Sequence, residues 1–217
     1  MVRAVIFDMD GVILDTERVA MRAWMSAAAE HGLELGESLY HGLIGLSGIE
    51  CRRYLKGRSW QDGDIERLET TAWTNYVELL QREGVPLKQG LFELLDFLDR
   101  KRLARAVATS TRTANAKRRL EDVGVLERFE AVVGGEQVER GKPAPDIYLR
   151  AAACLGRSPD ECVVLEDSRH GVRAGAAAGM AVILVPDICP IDRETELLAA
   201  CTAPSLVAVI PRLEEWV

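Results

Sequence analysis

Ala4-Val5-Ile6-Phe7-Asp8-Met9-Asp10-Gly11-Val12 decides how this chain is read. Its first four residues are apolar and β-prone, the pattern of a strand buried on both faces. Two carboxylates follow at i and i+2, then a glycine. Residues two apart on extended backbone point the same way, so Asp8 and Asp10 are expected to face one pocket as the strand ends. Gly11 permits a sharp turn or a close backbone approach to a ligand. Neighbouring carboxylates repel unless a positive charge separates them or one keeps its proton. A hard cation with oxygen ligands, most simply Mg²⁺, relieves that repulsion. A calcium loop does not fit, because positions 5, 6 and 12 counted from Asp8 hold Val12, Ile13 and Val19 instead of acid, glycine and glutamate.

Outward from this stretch the pattern turns helical. Thr16 is a suitable N-cap, and residues 17–30 carry Val19, Ala23 and Ala27 on one side. Residues 39–44, 49–55 and 65–83 also read as helices, and no strand is predicted before about residue 84. From Pro86 the rhythm becomes alternating. Leu91, Leu94, Leu95 and Leu98 follow helical spacing, and 103–108, 129–133, 162–165 and 181–185 read as strands. Helices are expected at 114–123, after Pro145, and at 172–178. Such alternation implies a parallel sheet covered on both faces. The expected fold is α/β, a Rossmann-like parallel-sheet core formed by residues 1–15 and 86–217, with an all-helical domain, 16–85, inserted after the first strand.

Composition narrows the function classes. The chain has 217 residues, 48% hydrophobic and 28% charged, which is ordinary for a globular protein. A net charge of −7 with no basic tract argues against a nucleic-acid partner. Five cysteines with no C-x-x-C spacing point to neither a metal site nor a disulfide framework, so reduced thiols and a cytoplasmic location are expected. The N-terminus reads as a strand and not as a signal peptide, and no apolar run approaches the roughly 18 residues of a membrane span. A monomer is the default expectation.

In an open parallel sheet, ligands bind beyond the carboxyl ends of the strands. Asp8 and Asp10 follow the first predicted strand, Thr109-Ser110-Thr111 the second, Lys142 lies in the loop after the third, and Glu166-Asp167 follow the fourth. Phosphate monoester hydrolysis needs this set of types. The uncatalysed reaction is so slow that a site must supply on the order of 20 kcal/mol. A carboxylate nucleophile divides it into two easier steps. An ammonium and a metal ion offset the repulsion of anion by anion. The Thr109 hydroxyl and the backbone N–H groups of Met9 and Ser110 would complete a phosphate cradle. Singly, Thr109 reads as well as a strand-end hydroxyl, Lys142 as a solvated lysine and Glu166-Asp167 as a turn. Four such hits in order, each after a strand, carry the weight.

Asp8-Met9-Asp10-Gly11-Val12 resembles the first motif of the haloacid dehalogenase-like hydrolases. Val107-Ala108-Thr109-Ser110, Gly141-Lys142-Pro143 and Val164-Leu165-Glu166-Asp167-Ser168 resemble the second, third and fourth. The resemblance covers nearly the whole chain and makes the helical insertion a cap. It implies Asp8 as nucleophile and Asp10 as general acid/base, with Thr109 and Lys142 catalytic beside them. Met9, Gly11, Ser110, Thr111 and Arg112 are the implied substrate contacts. Asp8, Asp10, Glu166 and Asp167 are the implied Mg²⁺ site, Glu166 directly or through water. An all-helical cap together with Asp10-Gly11-Val12 is similar to the β-phosphoglucomutase-like phosphatase group. The implied reaction is Mg²⁺-dependent hydrolysis of a small phosphorylated metabolite, such as a sugar phosphate, through an aspartyl phosphate.

Three alternatives are weighed against that expectation. A phosphosugar mutase would carry basic residues around a Gly-aliphatic-Ser cap turn. The matching Gly45-Leu46-Ser47 is flanked by Ile44 and Gly48, and the mutase's cap histidine appears as Ala20. A phosphonate hydrolase would need a cap lysine, and none lies between Thr16 and Leu55. A phosphoacceptor signalling module shares the Asp, Mg²⁺, hydroxyl and Lys but is much shorter and lacks the insertion. His31, His41 and His170 carry no signal, and Trp24, Trp60 and Trp73 read as packing within the insertion.

Overall fold

The computed structural model describes residues 1–44, 48–58, 60–188 and 190–217. The expected turn at Gly45-Leu46-Ser47 and the residue Cys189 therefore lie outside the described residues. Strands β1 (Ala4–Phe7), β2 (Ala104–Ala108), β3 (Ala131–Val133), β4 (Cys162–Glu166), β5 (Ala181–Leu184) and β6 (Cys201–Thr202) form one parallel sheet in the order β3-β2-β1-β4-β5-β6. The four apolar side chains of β1 are fully enclosed, which is why a strand at the start of the chain lies inside the sheet. Ala4 pairs with Ala104 and Cys162, and Phe7 with Val107 and Leu165. The carboxyl ends of β1, β2 and β4 therefore finish level, and the loops that follow them share one edge.

Helices α1 (Thr16–Glu30), α2 (Glu37–His41), α3 (Gly48–Lys56) and α4 (Asp62–Glu83) occupy the insertion. Helices α5 (Leu91–Lys101), α6 (Thr113–Asp122), α7 (Asp146–Cys154), α8 (Arg169–Ala177), α9 (Arg193–Glu196) and α10 (Leu206–Trp216) accompany the sheet. One apolar cluster joins Ile6, Ala106, Ala108, Val164 and Val182 of the strands to Ile147, Tyr148 and Ala151 of α7 and Val172 and Ala174 of α8. Small residues let α8 approach closely, since a Cβ on Gly175 would stand 2.7 Å from Val182 Cγ2.

Two details depart from the sequence pattern. The sheet has a sixth strand of only two residues, too short to display a period of two. β3 begins at Ala131 and not at 129, because Phe129 ends a 3₁₀ turn and sets its ring edge-on to Phe7, centroids 5.5 Å apart.

The chain divides into two compact units: Met1–Asp15 with Leu87–Asp187 and Ile191–Val217, and Thr16–Pro86 with Ile188–Pro190. In the helical unit α1 packs along α4 over a core that includes Ala27, Ala28, Tyr40, Leu55, Ile65, Leu68 and Ala72. Trp24 and Trp60 pack against that core, but Trp73, expected there too, is 62% exposed, with its ring tilted over that of Tyr76, centroids 5.8 Å apart. Its position between Ala72 and Thr74 turns it away from the face that carries Leu68 and Ala72. No helix among the described residues is long and apolar enough to cross a membrane. No disulfide joins the described cysteines, Cys51, Cys154, Cys162 and Cys201.

Candidate active site

The backbone after β1 closes on itself. The Ile13 and Leu14 N–H groups both donate to Met9 O at 2.9 Å, and the Gly11 N–H donates to Leu14 O at 2.7 Å. Gly11 sits at φ 88°, the left-handed region that glycine alone enters without strain. A Cβ there would lie 2.1 Å from Asp167 Oδ2. The bare Cα of Gly11 thus gives the Asp167 carboxylate its place, and the first and fourth motifs meet. Met9 is fully buried. The Asp8 N–H donates to Leu165 O at 3.0 Å, which carries the β1–β4 ladder one residue past the strand.

Lys142 is the hub. Its Nζ donates to Asp8 Oδ1, to Glu166 Oε1 at 2.7 Å and to Ala108 O at 3.3 Å, and stands 4.9 Å from the Tyr148 ring centroid. Glu166, the last residue of β4, has no solvent exposure. Its Oε1 also accepts from Tyr148 Oη at 2.7 Å. Its Oε2 accepts from the N–H groups of Asp167 and Ser168 and from Ser168 Oγ at 3.0, 2.9 and 3.0 Å. Gly171 makes room for it, since a Cβ there would fall 1.5 Å from Glu166 Oε1. Both oxygens are therefore committed to donors. Glu166, expected at the metal site directly or through water, is also the counter-ion of Lys142.

One ammonium thus serves two buried carboxylates. Burial works against ionising Glu166, but Lys142, Tyr148 and Ser168 together hold its carboxyl below the ordinary range. Asp8 goes the other way. Burial outweighs Lys142, the Glu166 charge adds to it, and the Asp8 carboxyl is pushed up to about 8. Lys142 is itself held well above its ordinary range, because the charges of Asp8 and Glu166 overcome its burial. With both acids ionised the cluster is one positive charge short.

That shortfall, in a set of hard oxygens, is what Mg²⁺ would meet. Among the described residues no three His, Cys, Asp or Glu side chains are grouped to hold a metal by themselves. Mg²⁺ does not require them, since it takes one or two carboxylates together with waters and phosphate oxygens. Asp8 and Asp167 are both buried. Asp10 turns its carboxylate toward α6, where Oδ1 accepts from Arg119 at 3.3 Å and Oδ2 from Thr111 Oγ1 at 3.4 Å. Thr109 is buried, and its Oγ1 accepts from the Thr111 N–H at 3.1 Å, which folds the turn after β2. Ser110 and Arg112 are exposed. The Ser110 carbonyl packs against Gly135, and Arg112 precedes α6; hydrogen bonding with Thr113, with a smaller contribution from the Arg112 charge, holds the Glu136 carboxyl below its ordinary range.

Tyr148, Arg119 and Gly171 are site residues that the sequence pattern does not single out. Tyr148 has the spacing of a core aromatic, Arg119 belongs to a basic run on a helix, and Gly171 looks like one small residue in a small-residue helix. The spacing of Gly171 from Ser168, whose Oγ caps α8 by accepting from the Gly171 N–H at 3.0 Å, is the only available hint.

The pattern of the haloacid dehalogenase-like hydrolases matches residues 5–185, a span that takes in all four motifs. Hexitol phosphatase A of Escherichia coli (strain K12) is 36% identical over 199 residues, 89% of this chain and 88% of its own length. β-Phosphoglucomutase of Bacillus subtilis (strain 168) is 32% identical over 184 residues, 82% of this chain and 80% of its own. The solved structure of a haloacid dehalogenase family hydrolase from Deinococcus radiodurans R1, with bound phosphate and sodium, matches with a TM-score of 0.82. It is 29% identical and covers 99% of this chain and 96% of that one. The chain belongs to the haloacid dehalogenase-like hydrolases, in their β-phosphoglucomutase-like branch.

Proposed function

We propose that this hydrolase is a Mg²⁺-dependent phosphatase acting on a small phosphate monoester, a sugar or polyol phosphate, through an aspartyl phosphate on Asp8. The observation that carries the reading is the Lys142 ammonium bound to both Asp8 and Glu166 where β1 and β4 end level. Glu166 fixes Lys142 from behind, and Lys142 brings charge to the nucleophile. An Asp8 oxygen attacks phosphorus while the Thr109 hydroxyl and the main-chain N–H groups of Met9 and Ser110 hold the phosphoryl oxygens. Asp10 donates its proton to the leaving oxygen as that P–O bond breaks. In the second step Asp10 takes a proton from water, the water oxygen bonds to phosphorus, the bond to Asp8 breaks and inorganic phosphate leaves. Asp8, Asp167 and the main-chain oxygen of Asp10, with Glu166 directly or through water, would hold Mg²⁺, which would supply the missing positive charge.

Thr16–Pro86 is read as the cap that selects the substrate, with Arg112 as a grip for a remote part of it. We read the protein as a monomer in the cytoplasm.

Two substitutions separate the roles of the acids. Asp10→Asn is expected to lower kcat by about 10²–10⁴-fold with little change in Mg²⁺ affinity, as measured by phosphate release against Mg²⁺ concentration. Asp167→Ala is expected to raise the Mg²⁺ concentration for half-maximal rate at least about tenfold. Full activity of the wild type in excess chelator would remove the metal from the mechanism.

A phosphosugar mutase is the second reading, favoured by the 32% identity to a β-phosphoglucomutase. A panel of sugar and polyol phosphates with Mg²⁺ tests the first reading by phosphate release. A hexose 1-phosphate with a trace of its bisphosphate tests the second. Stoichiometric 6-phosphate isomer with little free phosphate would assign the mutase reaction.

A further inference from the structure

Helix α6 starts from a fixed point. The Thr113 N–H donates to both oxygens of the Glu136 carboxylate, at 3.0 and 3.1 Å. Thr113 Oγ1 accepts from the Gly134 N–H at 3.2 Å and from Gln137 Nε2 at 2.6 Å. The Gly135 N–H donates to Thr111 O at 3.2 Å. The loop after β3 thus grips the loop after β2 at Thr111 and Thr113. Further along α6, Ala116 and Leu120 are buried. Lys117, Arg118 and Arg119 follow one another, but of the three only Arg119 turns inward. Lys117 and Arg118 are exposed, whereas the Arg119 side chain is 21% exposed. Its place three residues after Ala116 and one before Leu120 puts it at the margin of the buried face.

From that margin Arg119 Nη1 donates to Asp10 Oδ1 at 3.3 Å, and Thr111 Oγ1 donates to Asp10 Oδ2 at 3.4 Å. Each oxygen of one carboxylate therefore meets a donor carried by the gripped segment. Neither bond is short, and the Asp10 side chain is 27% exposed, so the pairing adds little to stability. Its effect is on direction. The main chain of Asp10 is already tied, because Asp10 bridges to Leu14 and the Gly11 N–H donates to Leu14 O at 2.7 Å. What remains for α6 to set is the side-chain torsions.

We propose that Arg119 is a positioning residue which, with Thr111, aims the Asp10 carboxylate for its proton transfers. Its role rests on that of Asp10 as general acid/base in the proposed phosphatase reaction. Arg119 exchanges no proton itself: the proton that reaches the leaving oxygen comes from Asp10, and Arg119 acts through the geometry of that transfer. Misplacing a catalytic group by about 1 Å costs up to about 10²-fold. The cost falls where the proton matters. An alkoxide leaving from a polyol phosphate needs that proton, whereas a nitrophenolate leaves without it.

The test compares kcat/KM for a hexitol phosphate and for p-nitrophenyl phosphate, since kcat/KM reports the first half-reaction, in which the leaving group departs. Arg119→Met is expected to lower kcat/KM about tenfold or more for the hexitol ester and less than about threefold for the aryl ester. Turnover of the aryl ester shows that the variant is folded. Thr111→Val is expected to show the same preference with a smaller loss. Arg118→Met removes the same charge from the exposed neighbour and is expected to leave both esters unchanged. On an Asp10→Asn background, Arg119→Met is expected to cost less than about twofold more, because no proton is left to aim. Equal loss on the two esters, a full further loss on the Asp10→Asn background, or wild-type kcat/KM in Arg119→Met would overturn the positioning role. Failure of the phosphatase mechanism has a different sign: Asp10→Asn alone would then keep the wild-type kcat/KM for the hexitol ester.

Discussion

Asp8→Asn is expected to abolish phosphate release, by on the order of 10⁴–10⁶-fold, and to leave no acid-stable phosphoenzyme after incubation with substrate and Mg²⁺. The substitution keeps size and shape, and the amide oxygen can still accept from Lys142. It removes the anionic oxygen that would form the bond to phosphorus. The same variant makes an opposite prediction for stability without divalent metal. The Asp8 carboxyl is raised from its ordinary 3.8 to about 8, so the folded state holds the proton more tightly than the unfolded chain. That contribution is fully present below 3.8 and is lost as pH rises through about 8. The metal-free wild type should therefore lose melting temperature across this interval, whereas Asp8→Asn should lose less and overtake it on the alkaline side. Phosphate release within about tenfold of wild type would remove Asp8 as nucleophile. Parallel stability curves would remove the raised pKa as a property of the metal-free site.

The acids of this site were open to sequence reasoning because each follows a short apolar run, and a polar residue at the end of a buried strand has few places to point. Asp8, Thr109 and Glu166 are of this kind, and the level register of β1, β2 and β4 brings their loops to one edge. What they touch was hidden. Whether Glu166 meets a metal or a lysine depends on Tyr148, on the N–H groups of Asp167 and Ser168, and on the space at Gly171, and none of these has a period or a spacing. Arg119 reaches Asp10 from a helix whose basic residues look solvated in one dimension. The two-residue β6 was hidden for a related reason: a segment that short lacks the repeating hydrophobic pattern that marks an element.

Lys142→Met is expected to be the most damaging substitution for stability and to cost activity as well, and the two effects can be separated. Lys142 is the ammonium shared by two buried carboxylates, and removing one member of such a group costs about 3–5 kcal/mol because the remaining charges are left in a poor solvent. Asp8 can shed its charge by keeping its proton. Glu166 cannot do so easily, since its oxygens accept from the N–H groups of Asp167 and Ser168 and from Ser168 Oγ, donors that favour the ionised form. The destabilisation should therefore reside in Glu166. Adding Glu166→Gln should relieve it. The amide oxygen can take the three donors now served by Oε2, and the amide nitrogen can donate to Tyr148 Oη, a hydroxyl that accepts as readily as it donates. Urea unfolding of the wild type, the single and the double variant is expected to show most of the lost stability restored in the double. Activity is not expected to return. The double variant has a neutral pocket but no ammonium beside the attacking oxygen, and loss of such an electrostatic group costs about 10²–10³-fold in kcat. If the double variant stays as unstable as the single, Lys142 holds the fold through its packing over the Tyr148 ring and not through charge. If Lys142→Met turns over at the wild-type rate, the nucleophile draws its compensation from the metal alone, and the pairing of Lys142 with Asp8 is a feature of folding only.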